Sequence, residues 1–125
     1  MPLNTYEENR ILSASPVGLV QILYAAAVRA VHAARQHVRA GNIAGRSREI
    51  SRAQEILLEL AASVNPSQAP EFSERLLALY GYMQARLIEA NAKQVDGPLA
   101  EVANLLDILQ EAWSQVEEPE MAQAG

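Results

Sequence analysis

Cysteine is absent from the 125 residues, which removes disulfides, thiolate chemistry and the usual zinc motifs together and fits a reducing compartment such as the cytoplasm. The first residues lack a basic start and an apolar core, so no signal peptide is expected. The apolar stretch that follows Pro16 is interrupted by Gln21, Arg29 and His32, so no membrane insertion is expected either. Ten Lys and Arg stand against fifteen Asp and Glu, for a net charge of −5; a general affinity for nucleic acid needs a cationic footprint that this balance does not supply. No Glu-x-x-His pair, Gly-rich phosphate cradle or nucleophile elbow occurs. His32 and His37 lie five residues apart, which turns them about 140° from each other on a helix and keeps them from sharing one metal ion. Neither an enzyme, a metal site nor a cofactor is expected.

Charge is unevenly spread. Residues 29–52 hold Arg29, Arg35, Arg39, Arg46, Arg48 and Arg52 against Glu49 alone, whereas residues 96–125 contain acids and no Lys or Arg. Solvated helix faces and pairing with acids on neighbouring helices account for most of such a pattern.

Half of the residues are hydrophobic, and their spacing is helical. Ser15 suits an N-cap and Pro16 the first helical position, where no N–H is needed. Val17, Val20, Tyr24, Ala27, Val31, Ala34 and Val38 then recur at threes and fours, with a second stripe of Leu19, Leu23, Ala26, Ala30 and Ala33 beside them. Gly41 is placed to end this helix and Gly41–Gly45 to form the turn. Ile50, Ala53, Leu57, Leu60 and Val64 form a second seam, stopped by Asn65-Pro66. A third seam runs through Leu76, Tyr80, Met83, Leu87 and Ala90. Asp96-Gly-Pro98 supplies cap, turn and initiating proline for a fourth, Leu99, Val102, Leu106, Leu109, Trp113 and Val116. Four helices joined by short turns must run antiparallel to their neighbours, so the expected fold is an all-α, up-down-up-down four-helix bundle over residues 16–116. Residues 1–15 form an apolar N-terminal segment and 117–125 a flexible acidic tail. Tyr24, Tyr80 and Trp113 are expected in the core with polar tips at its boundary.

The first and third helices carry apolar residues on more than one seam, and Leu105 and Ile108 lie outside the main seam of the fourth. Surplus apolar surface of this kind marks a helical binding module or a homo-oligomer.

The segment Ser13-Ala-Ser-Pro followed by Ile22-Leu-Tyr resembles the start of the flagellin-specific secretion chaperones, the FliS family. Ile50-Ser-Arg-Ala-Gln-Glu-Ile-Leu, Leu76-Leu-Ala-Leu-Tyr-Gly-Tyr-Met, Ala90-Asn91 and Glu101-Val-Ala-Asn-Leu-Leu-Asp-Ile-Leu-Gln-Glu-Ala-Trp113 continue the resemblance in the family's order from Asn4 to Val116. It implies a partner, the disordered C-terminal tail of flagellin, and delivery to a component of the flagellar export gate. The residues beside the seams, Leu19, Leu23, Ile56, Leu60, Leu105 and Ile108, are then the expected tail-binding groove. Tyr6, Ile11 and Leu12 match the family's N-terminal segment and are the expected strap over it. Two departures stand out: Ala25-Ala26-Ala27 replaces the family's usual Asp-Gly-Ala, and Pro66-Ser-Gln-Ala-Pro70 replaces its Gly-rich turn. The alternatives are a self-associating helical adaptor, such as a homodimer, and a histidine phosphotransfer domain using His32. Against the last, that family places Lys three and Gly four residues after its His, where Arg35 and Gln36 stand here.

Overall fold

A computed structural model describes residues 15–116. They form four helices: α1, Pro16–Ala40; α2, Ile43–Ala62; α3, Pro70–Lys93; and α4, Gly97–Ser114. Around the bundle α1 packs on α2 and α4, and α3 packs on the same two, while the diagonal pairs do not approach each other closely through their backbones. Side-chain links fix the directions. Gln21 near the start of α1 reaches Trp113 near the end of α4, whereas Arg35 near the end of α1 reaches Asp96 at the start of α4. The two helices are therefore antiparallel, as are α2 and α3, where Ser47 meets Asn91 and Gln54 meets Gln84. The bundle is up-down-up-down, as the seams require.

Each boundary has a local cause. The Ser15 hydroxyl accepts the Gly18 N–H at 3.0 Å, with Pro16 next in line. Gly41 ends α1 at φ +70°, a left-handed conformation natural to glycine, so that the Gly41 and Asn42 N–H groups satisfy the Val38 and His37 carbonyls. The Asn42 side chain then caps α2 by accepting the Gly45 N–H at 2.9 Å. Helix therefore resumes at Ile43, two residues after Gly41, and the turn is shorter than the expected Gly41–Gly45 because Asn42 caps as well as turns. Asp96 differs from expectation too. It precedes α4 but makes no capping bond with its side chain, because both its carboxylate oxygens accept from the Arg35 guanidinium, at 2.8 and 3.0 Å.

The centre of the bundle is a single cluster to which all four helices contribute, with Tyr24, Val31, Ile50, Leu57, Leu60, Met83, Leu87, Leu99, Val102 and Leu106 fully buried. Small residues on α1, Ala26, Ala27, Ala30 and Ala34, are buried as well and let α2 approach closely. By length and composition α1 could cross a membrane. In the fold it is a core helix whose apolar stripes face its neighbours. The buried Tyr24 and Tyr80 hydroxyls bond to each other across the α1–α3 diagonal, so their polar tips point inward rather than to the boundary. Burial raises the pKa of both phenols and keeps them protonated. Trp113 is half-buried, its ring 6.4 Å from that of Tyr24, and its carbonyl accepts from Gln21 at 2.7 Å.

Two of the six clustered arginines are thus spent inside the fold. Arg35 holds Asp96, and Arg46, a residue only 6% exposed, donates from its guanidinium to the Asn91 side-chain oxygen at 3.0 Å alongside Ser47. Arg46 opposes the dipole of its own helix but lies beside the last turn of α3, where a cation is favoured.

Candidate partner-binding surface

The outer face between α1 and α2 is located by His37, whose ring sits where a Cβ on Gly45 would be. Leu19 lies eighteen residues before His37, about five full turns, and so shares its side of α1. Ile56 lies eleven residues after Gly45, about three turns, and shares its side of α2. Leu19, Leu23 and Ile56 therefore lie on this side of their helices, each half-buried, with Leu23 and Ile56 resting on the core.

Leu105 and Ile108 belong elsewhere. Glu101 of α4 faces α3, its carboxylate accepting from Tyr82 Oη and from Arg86 Nε, the latter at 2.6 Å. Leu105 and Ile108 follow Glu101 by one and two turns on the same side. Leu79, three residues before Tyr82, is on the neighbouring stripe of α3. The α3–α4 face is opposite the α1–α2 face in the ring, so the expected single groove is two strips on opposite sides. Leu60 is a correction: it is 0% exposed, because a seam residue that faces the centre of a four-helix ring has no outer face. Tyr6, Ile11 and Leu12 lie outside the described residues.

At the end of the bundle where α1 begins there is also a cavity of about 270 Å³, lined by Val20, Val64, Phe72, Leu76, Tyr80 and Trp113 among others. It was not legible in the sequence, because it is framed by four helix ends and the Pro66–Pro70 loop. Phe72, 59% exposed at its rim, was the available signal: an aromatic in a first helical turn, one turn before Leu76 on the seam and so beyond the end of the packed core.

Ion pairs border the α3–α4 strip. Arg86 also binds Glu89, which Lys93 approaches at 3.4 Å. The Tyr82 and Arg86 hydrogen bonds lower the pKa of Glu101, and Lys93 with Arg86 lowers that of Glu89, so both stay ionised; the Glu101 bond raises the Tyr82 phenol. These groups hold charge rather than move protons. His32 is exposed on α1, and Arg35, one turn on, is committed to Asp96.

Aliphatic strips on opposite sides of a helical bundle, one of them bordered by ion pairs, make this an all-helical protein with candidate surfaces for protein partners. A family model described as flagellar protein FliS matches residues 1–120. The chain is 31% identical over 114 residues to the flagellar secretion chaperone FliS of Bacillus subtilis, covering 91% of this chain and 84% of that one. It is 32% identical over 110 residues to the protein of the same name from Salmonella typhimurium, with 87% and 82% covered. For the Escherichia coli relative, also a flagellar secretion chaperone FliS, the figures are 29% over 109 residues, with 86% and 80% covered. The chain belongs to the FliS family.

Proposed function

We propose that this chain is a cytoplasmic export chaperone that binds the disordered C-terminal tail of flagellin, prevents its premature polymerisation and assists its delivery to a component of the flagellar export gate. The observation that carries the reading is the pair of apolar strips, Leu19, Leu23 and Ile56 on one side and Leu105 and Ile108 on the other, in a chain of the FliS family. A disordered segment loses about 2–5 kcal/mol on ordering. A fully buried aliphatic side chain returns about 1.5–3 kcal/mol. One shallow strip therefore leaves little net affinity, whereas a tail that passes over one strip, round the bundle end and onto the other collects enough anchors. The end cavity, with Trp113 and Phe72 on its lining, lies on that route.

Tyr6, Ile11 and Leu12 act in this reading as the strap that covers part of the apolar surface until the tail arrives. The chain enters α1 at Ser15, and Val20 five residues later already lines the end cavity, so a short apolar segment before Ser15 has apolar surface within reach.

The functional test is filament growth from purified flagellin in the presence of increasing chain. The reading expects suppression that saturates at one chain per flagellin, and none of it with flagellin lacking its C-terminal tail. Filament growth unaffected at stoichiometric excess would contradict it.

A further inference from the structure

The end of the bundle where α1 turns into α2 and α3 into α4 has no role in the proposed tail contacts. It belongs to a half of the molecule that carries most of the positive charge. With the Gln54–Gln84 link as the midline, that half comprises residues 28–54 and 84–105 and holds eight Arg and Lys against four Asp and Glu. The other half, residues 15–27, 55–83 and 106–116, holds Arg75 alone against six acids. Each acid of the basic half already has a cation within 4 Å: Glu49 has Arg48, Glu89 has Arg86 and Lys93, Asp96 has Arg35, and Glu101 has Arg86. Arg39, in the last turn of α1, is exposed and makes no ion pair among the described residues. Arg48 and Lys93 are exposed on α2 and α3. The same end exposes two aliphatics, Ile43 at the first position of α2, 58% exposed, and Val95 in the α3–α4 turn, 40% exposed. Because α2 and α3 are antiparallel and each aliphatic lies four residues beyond the Ser47–Asn91 link, the two reach the end on the same side. A Cβ on Gly41 or Gly97 would meet nothing within 4 Å, so both turns are open.

We propose that this end docks on an anionic lipid surface, with Ile43 and Val95 entering the headgroup layer and Arg39, Arg48 and Lys93 lying over the phosphates. The contact is peripheral and takes no helix across the bilayer. Its chemistry favours lipid over an acidic protein. The cations come from three different helices at an end made of turns, so no single groove presents them to a peptide, whereas a fluid surface needs none. Aliphatic side chains beside cations also match an interface that is anionic outside and apolar within. The net charge of −5 does not prevent the approach. α1 has 25 residues and is about 38 Å long, several times the Debye length of about 10 Å, so the acids of the far half are screened from the surface. Each cation near an anionic leaflet raises partition about fivefold, and three together about a hundredfold. The result is a weak, salt-dependent contact in which the bundle stands on its basic end and leaves the α1–α2 and α3–α4 strips free.

The test is co-sedimentation of the full chain with phosphatidylglycerol vesicles beside phosphatidylcholine vesicles, at about 0.1 M and about 1 M salt. Binding should be confined to phosphatidylglycerol and lost at high salt. Arg39→Glu with Lys93→Glu should lower it about tenfold or more, and Ile43→Ser with Val95→Ser several-fold. The helical circular dichroism spectrum should not change in either variant, since all four positions are exposed. Arg75→Glu, a charge reversal at the other end, should leave binding unchanged, which separates docking by this end from an effect of net charge. Equal binding to both lipids, no binding to phosphatidylglycerol at low salt, indifference to both end variants, or an equal loss with Arg75→Glu would overturn the proposal. So would capture of soluble polyglutamate without capture of vesicles, because the end would then belong to an acidic protein.

Discussion

Gly45 carries a hydrogen where other residues carry a carbon, and His37 occupies the difference. A Cβ at that position would lie 2.5–2.8 Å from the imidazole ring atoms, although the helical site would otherwise favour Ala by about 1 kcal/mol. Gly45→Ala should therefore destabilise the fold by about 1–2 kcal/mol in urea titration, and the sign should reverse when His37→Ala is added. A loss that persists in the double variant would show that His37 is not the obstacle. The tyrosine pair makes a related point about partners. Tyr80→Phe strands the Tyr24 hydroxyl in the core, and chemical denaturation should register about 1–3 kcal/mol, with the Trp113 emission shifting because its ring lies against Tyr24. Asp96 sets a pH dependence. Arg35 holds its carboxyl below the ordinary 3.8, so the pair stabilises the fold above that value and the contribution fades as pH falls through the folded-state pKa. Asp96→Asn should cost about 0.5–1 kcal/mol near neutrality, allowing for solvent screening, and the gap from the parent should close in acid. A gap constant with pH would assign the loss to geometry rather than charge.

At the scale of helices, periodicity carried most of the fold into the sequence. The seams through Tyr24 and Val31, Ile50 and Leu57, Tyr80 and Leu87, and Leu99 and Leu106 are the buried rows of the four helices. Caps were less legible where a polar residue had a choice. Asn42 spends its side chain on its own helix, whereas Asp96 spends it on an arginine sixty-one residues away, and nothing local in Asp-Gly-Pro announces that. Arg46 is the same case: a cation in a first helical turn reads as a local misfit until the fold brings the end of α3 beside it. The site suffered most, because residues beside a seam are legible as such but the side of the bundle they face depends on ring order. Leu23 and Leu105 both flank seams and yet lie on opposite faces. The element-scale prediction uses that division. Leu19→Asp with Leu23→Asp should abolish tail binding at the α1–α2 strip, since burial of unpaired carboxylates is costly, while circular dichroism shows the helices intact. Full affinity with intact helicity would remove this strip from the contact.

For the whole molecule, the arrangement is a stiff core with its apolar surplus distributed around the outside. The charge asymmetry is partly internal: Arg35 and Arg46 tie the bundle together, and Arg86 braces α3 to α4 through Glu101. What remains for a partner is aliphatic, in separate strips, which suits a long flexible ligand better than a compact one. Ala25-Ala26-Ala27 puts two buried small residues on α1 and no acid, so in the proposed reading a bound tail takes its anchors from the aliphatic strips. The most direct measurement is calorimetric titration of the full chain with the C-terminal tail of the flagellin encoded in the same genome, run at several temperatures beside an N-terminal flagellin fragment. The account predicts saturable one-to-one binding of the C-terminal tail alone, with a negative heat-capacity change from apolar burial. Absence of heat and of saturation with the tail, or equal binding of the N-terminal fragment, would contradict it.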